Sequence, residues 1–140
     1  MYSIIYESEA HADFSPTAIF KMLLGAKNYN REHGITGCII FYKGVFLQLL
    51  EGAEEEVEKL FGRIKEDNRH HDVKVILEND GNGRLWEDWS MAFYDLSGSD
   101  KDITQKRQLL EIYFNSANTD KGSNEVFRVF KDTAFDLLQE

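Results

Sequence analysis

Cysteine is nearly absent from this 140-residue chain, and the one thiol, Cys38, has no partner for an intramolecular disulfide. It lies in an apolar run, which fits a reducing cytoplasm better than an oxidising compartment. No apolar stretch approaches the ~20 residues that cross a bilayer. The opening MYSIIYESEA has too short an apolar core and too acidic a flank for a signal peptide. A cytoplasmic protein without a membrane segment is therefore expected. Basic charge is also scarce. A net charge of −9 disfavours non-specific binding to nucleic acid or anionic membrane, but not action through another protein. The chain has no internal repeat, no low-complexity tract, no CxxC pair, no Walker loop and no Ser-His-Asp signature.

Large rings are plentiful: ten Phe, six Tyr and two Trp. At this length one domain with a sizeable core is expected, with room for a small helical appendage. Tyr2–Ser8 reads as a first strand, with Tyr2, Ile4, Tyr6 and Ser8 on one face and Ile5 on the other. The lone proline, Pro16, follows Ser15 as an N-cap and first helical residue. That helix runs to about His33, with Ile19, Met22, Leu23 and Ala26 at helical spacing and Gly34 as its stop. Asn30 falls on its apolar face.

Ile35–Tyr42 and Val45–Glu51 form a hairpin turned by Lys43-Gly44 and closed by Gly52. Glu54–Asn68 is an amphipathic helix through Val57, Leu60, Phe61 and Ile64, with Glu54, Glu55 and Glu56 at the positive end of its dipole. Asp72–Glu78 is a fourth strand, Asn79–Gly83 a glycine-rich turn and Arg84–Asp88 an irregular connection. Trp89–Asp95 is a fifth strand, with Trp89, Met91 and Phe93 on one face. The order β-α-β-β-α-β-β implies an α+β, ferredoxin-like mixed sheet with both helices on one face. After the polar linker Ser97–Lys101, two more helices are expected, about Asp102–Asn115 and Ser123–Gln139. The chain thus divides into 1–95 and a helical extension, 96–140. The stripe Val126, Phe127, Phe130, Ala134, Leu137 and Leu138 must rest on the sheet's far face, on another subunit, or on both.

In the apolar stretch VFLQLLEG, one amide, Gln48, shares a face with Phe46 and Leu50, opposite Val45, Leu47 and Leu49. A buried amide left unsatisfied costs roughly 1–3 kcal/mol per group, so Gln48 needs a specific partner. Tyr6, Asn30, Trp89 and Met91 also point inward, from three further elements that this topology gathers together. Such a set implies either a polar ligand between helices and sheet or ordinary core satisfaction. No metal centre is indicated. His70 and His71 are adjacent and diverge in extended chain. Asp80-Gly81-Asn82-Gly83 departs from a calcium loop at Arg84 and at its sixth position.

From Met1 to about Tyr94 the chain resembles the BLUF domains, blue-light sensors that use flavin. The resemblance rests on IIYES around Tyr6, Asn30 four residues before GITG, FLQLLEG around Gln48, EDNRHHDV and RLWEDWSM ending at Met91. It implies that Tyr6 donates an electron and proton to the excited flavin. It implies that Gln48 bridges this tyrosine to the flavin N5 and O4 edge, and that Asn30 holds the pyrimidine edge. Trp89 and Met91 match a strand pair whose positions relative to the glutamine vary. Met22 and Ile64 are placed on opposite faces of the isoalloxazine, with Phe46 beside it; Arg69 and His70 fall in a family motif. Tyr29 either stacks near the flavin or faces solvent.

The implied protein is a non-enzymatic photoreceptor binding FAD, or else FMN or riboflavin. Its output would be a protein partner or a homo-oligomer formed through the C-terminal helices. Two rivals are a ferredoxin-like hydrolase of the acylphosphatase type, for which no anion loop with paired Arg and Asn is found, and a flavin-free interaction module.

Overall fold

The computed structural model describes residues 1–81, 83–86, 92–96, 103–117 and 125–139. Its elements are β1 (Tyr2–Ala10), α1 (Pro16–Glu32), β2 (Thr36–Tyr42), β3 (Val45–Gly52), α2 (Glu54–Glu66), β4 (His70–Asp80), β5 (Ala92–Asp95), α3 (Ile103–Asn115) and α4 (Glu125–Leu137). The five strands form one sheet in the order β4-β1-β3-β2-β5. Every pairing is antiparallel except β2 with β5, which is parallel. This is the α+β arrangement the alternation implies.

Period-two alternation divides the sheet's side chains between two cores. Tyr2, Ile4 and Tyr6 of β1, with Phe46 and Leu50 of β3, face α1 and α2 and pack with Ile19, Leu23, Val57 and Phe61. Ile5, Cys38, Ile40, Leu47 and Leu49 face the other way, toward α3 and α4. There the stripe of α4 is settled: Val126, Phe130 and Ala134 are fully buried against the sheet and α3, and Phe127 and Leu137 partly so. The extension is thus the second cover of the sheet. Among the described residues no helix is long and apolar enough to cross a membrane.

Local signals act as expected at α1. Ser15 Oγ accepts a hydrogen bond from the Ala18 amide at 3.2 Å, and Gly34 adopts the left-handed φ of 65° just beyond the end. Several boundaries differ from the expected ones. β1 extends past Ser8 to Ala10, and β2 starts one residue late, at Thr36. α2 stops at Glu66 because Asp67, at ψ 120°, is already extended. β4 runs from His70 to Asp80, well beyond Asp72–Glu78, because nearly all of β1 is its partner. Its ends are polar, with exposed His71, Asp72 and Asp80, as suits an edge strand, so apolar alternation cannot mark them. Of the expected fifth strand, Ala92–Asp95 is seen; 89–91 lie outside the described residues.

Gly37 holds a φ of 150°, and a Cβ there would collide with the Leu49 carbonyl oxygen of the paired strand. Gly37→Ala is expected to destabilise by about 3 kcal/mol, the upper end of overpacking costs, read as a lowered denaturant midpoint. Phe130→Ala, which opens the second core, should cost about 3–5 kcal/mol in the same measurement.

Candidate functional site

β1 and β3 pair so that Tyr6 lies directly opposite Gln48. Directly opposed residues share a face, so the phenol and the amide meet: Tyr6 Oη donates a hydrogen bond to Gln48 Oε1. Both are buried. Phe61 of α2 packs on the Tyr6 ring at 5.2 Å between centroids. Burial pushes the Tyr6 phenol far above its ordinary value, and the charge of Asp67 adds to the shift. The hydroxyl therefore stays protonated in the ground state and remains a donor.

This pair forms one wall of a cavity of about 350 Å³ between α1, α2 and the sheet. That volume falls in the ~300–1,000 Å³ range of small-molecule sites. Met22, Ala26 and Asn30 reach it from α1, Leu60 and Ile64 from α2, and Ile39, Phe46 and Gln48 from the strands beneath. The helices contribute because their apolar faces must lie on the sheet, and the 3.6-residue repeat brings Met22, Ala26 and Asn30 into one row. Asn30 is buried at the end of that row, and its backbone carbonyl accepts from the Ile35 amide at 2.8 Å. Apolar surfaces from two helices, with two buried primary amides, match a flat heterocycle bearing amide-like edges. The residues present therefore fit a flavin ring.

Exposed residues mark the mouth. The Arg63 guanidinium lies 4.9 Å over the Tyr29 ring, which stacks in turn on His33 at 3.9 Å. Tyr29 lines the cavity and is half-buried. Arg69 also lines the cavity, but its guanidinium forks onto the Asp67 carboxylate, with Nε 2.9 Å from Oδ1. That pairing holds the Asp67 carboxyl below its ordinary value, against a lesser upward push from burial. His70 is tied within the protein: Nε2 donates to the Ile64 carbonyl at 2.6 Å, leaving Nδ1 to accept from Ser8 Oγ at 2.8 Å. Its ring braces the α2 end against β1 while one side borders the cavity.

Eight of the ten residues expected at a cofactor site thus converge: Tyr6, Met22, Asn30, Phe46, Gln48, Ile64, Arg69 and His70. The other two, Trp89 and Met91, lie outside the described residues. Sequence reasoning missed Arg63, Asp67, Phe14 and Ile39. From Leu60, the steps i+3, i+4 and i+7 reach Arg63, Ile64 and Asp67, so helical period could have placed both charges there. A charged residue at such a position carries no local sign that it borders a cavity. Ile39 was likewise available from alternation in β2; Phe14 sits in a loop with no period.

His70 and His71 do point apart. His71 turns outward beside Glu9 and Asp72, and the ligand atoms of these three exposed residues lie within 4.8 Å of one another. In this structure His71 Nδ1 hydrogen-bonds Asp72 at 3.0 Å.

Residues 1–92 match the family model for BLUF, sensors of blue-light using FAD. Over 137 residues the chain is 27% identical to the blue light- and temperature-regulated antirepressor BluF of Escherichia coli, covering 98% of this chain and 32% of that protein. A solved structure of Klebsiella pneumoniae BlrP1 with FMN and cyclic diGMP superposes with a TM-score of 0.75 at 29% identity, over 96% of this chain and 34% of that one. The photo-activated state of BlsA shares the fold at 23% identity and a TM-score of 0.69, over 99% of this chain and 95% of that one. The chain spans about a third of the length of the E. coli relative and of BlrP1. With the family model matching about two thirds of its residues, this chain belongs to the BLUF family of flavin-binding blue-light sensors.

Proposed function

We propose that Tyr6 and Gln48 carry the photochemistry of this sensor and that the C-terminal helices deliver its output. The observation behind the first part is the Tyr6 hydroxyl aimed at Gln48 Oε1 in the wall of the cavity. Bound flavin supplies the blue-light absorption and, once excited, an oxidising partner. Tyr6 is a donor whose proton has an acceptor already in place, so electron and proton can leave it together. The Gln48 amide offers an acceptor on one side and a donor on the other. Rotation or tautomerisation therefore changes the hydrogen-bond pattern that it presents. Met22 and Ile64 enclose the ring from the two helices, and Asn30 orients its amide-like edge. FAD is the flavin named for the family, and a relative's structure with FMN makes FMN the alternative.

The output on this reading is binding rather than turnover, in a cytoplasmic protein that contacts neither nucleic acid nor membrane. With the α4 stripe buried on its own sheet, exposed apolar residues of α3 are offered to a protein partner or a second copy. Ile112 is 68% exposed there, and Ile103 is 44% exposed. The E. coli relative is an antirepressor, which is an action on another protein.

A light-minus-dark absorption spectrum of the purified yellow protein tests the reading: a reversible red shift is expected, and a light-insensitive flavin spectrum would refute it. Gln48→Leu should keep flavin and lose the normal shift, because a near-isosteric aliphatic chain bonds neither Tyr6 nor flavin. An unchanged shift with unchanged recovery would remove Gln48 from its role. Tyr6→Phe keeps the packing against Phe61 and should likewise bind flavin without forming the shifted state. Transient absorption after a flash checks this, and normal photochemistry there would require another donor, with Trp89 the first to replace.

A further inference from the structure

Three residues beyond Gln48 on β3, the alternation that sends Gln48 toward the cavity sends Glu51 to the opposite face. There Glu51 is fully buried. A carboxylate in that position needs donors, and it has them from two directions. The Leu85 amide donates to both carboxylate oxygens at 3.1 Å, and the Trp86 amide donates to Oε1 at 2.9 Å. The Thr36 hydroxyl of β2 donates to Oε1 at 3.0 Å and itself accepts from Arg84 at 2.7 Å. Arg84 is anchored in turn on the Gly34 carbonyl at 2.9 Å. Burial holds the Glu51 carboxyl above its ordinary value, against a lesser downward pull from the Trp86, Leu85 and Thr36 bonds and the Arg84 charge. Since every one of these contacts is a donor, the site is built for the ionised form.

The segment held by Glu51 is also held from its other side. The Trp86 indole stacks on Tyr113 of α3, with centroids 4.4 Å apart and planes at 10°, and its Nε1–H donates to Ser116 Oγ at 3.1 Å. Phe114 of α3 and Phe130 of α4 close around the same indole, each at 6.4 Å. Residues 84–86 therefore join the strand carrying Gln48 to both helices beyond the sheet. The span from Gln48 to Glu51 is about 10 Å at ~3.3 Å per residue of strand. Losing any one donor would leave a buried charge under-satisfied, so the segment follows the strand.

We propose that Glu51 is a positioning residue of the light response, locking residues 84–86 to β3 so that a rearrangement at Gln48 reaches α3 through Trp86. This rests on the photosensor reading above, and its test separates the two. Hydrogen exchange is measured on the full flavin-loaded chain in dark and light, alongside the absorption shift, for wild type, Glu51→Gln and Trp86→Phe. The wild type is expected to show the red shift and a light-induced change in exchange across 103–117. Glu51→Gln replaces an acceptor oxygen by a donor group on the face away from the cavity. It should keep flavin and red shift but lose the light-induced change in 103–117. Trp86→Phe keeps a ring on Tyr113 without the bond to Ser116, so it should lose part of that change and guards against a Glu51 variant that does not fold. A purely structural role would raise exchange equally in dark and light, leaving the difference intact, and that outcome overturns the proposal. So does a wild type that shifts its spectrum with no response in 103–117. A wild type with no spectral shift at all overturns the photosensor reading and this inference with it.

Discussion

Antiparallel pairing of β1 with β3 sets Tyr6 against Gln48, and the rest of the site depends on that register. A slip by one residue would turn Tyr6 away from the cavity and carry Ile5 into it, because strand side chains alternate. The register is protected from both faces. Leu47 and Leu49 are fully buried in one core, and Ile4 and Leu50 in the other, so no shifted pairing keeps both sets out of water. The polar pair is tolerated within this apolar frame because each group meets the other, where an isolated buried amide or phenol would be costly.

Covering both faces of one sheet has a functional consequence. The cavity lies on the α1–α2 side, while α3 and α4 pack against the opposite face. Only the sheet separates them, and in β3 alternate residues look into each half: Gln48 toward the cavity, Leu47 and Leu49 toward the second core. A chemical change of a few atoms on one side is thus mechanically close to the helices on the other. Close packing makes such a sheet transmit displacement where a looser layer would absorb it.

Much of this was legible because the elements are strongly periodic. VFLQLLEG announces a strand with one misplaced amide, and Ser15-Pro16 and Gly34 punctuate α1 as capping chemistry requires. Elsewhere, local rules pointed the wrong way or gave no signal. The polar ends of β4 carry no apolar alternation, since an edge strand takes its length from its partner and its side chains from solvent. Arg63 and Asp67 follow the helical period into the cavity mouth, but a lone charge on a helix carries no local sign that it borders a cavity. Glu51, the last acidic residue before a glycine turn, gave no sign of being fully buried.

The sequence by itself therefore determined the alternation of strands and helices, the inward-facing Tyr6, Asn30 and Gln48, and the family to which the motifs belong. Each follows from interactions within a few residues: dihedral preference, capping, and the two periodicities that assign side chains to faces. Only the tertiary structure decided that the α4 stripe rests on its own sheet, that Arg69 is engaged by Asp67, and that His70 is braced between Ser8 and the Ile64 carbonyl. It alone brought the amides of Leu85 and Trp86 to Glu51, 34 and 35 residues away. Those outcomes depend on which distant surfaces meet, and a periodicity carries no information about its partner.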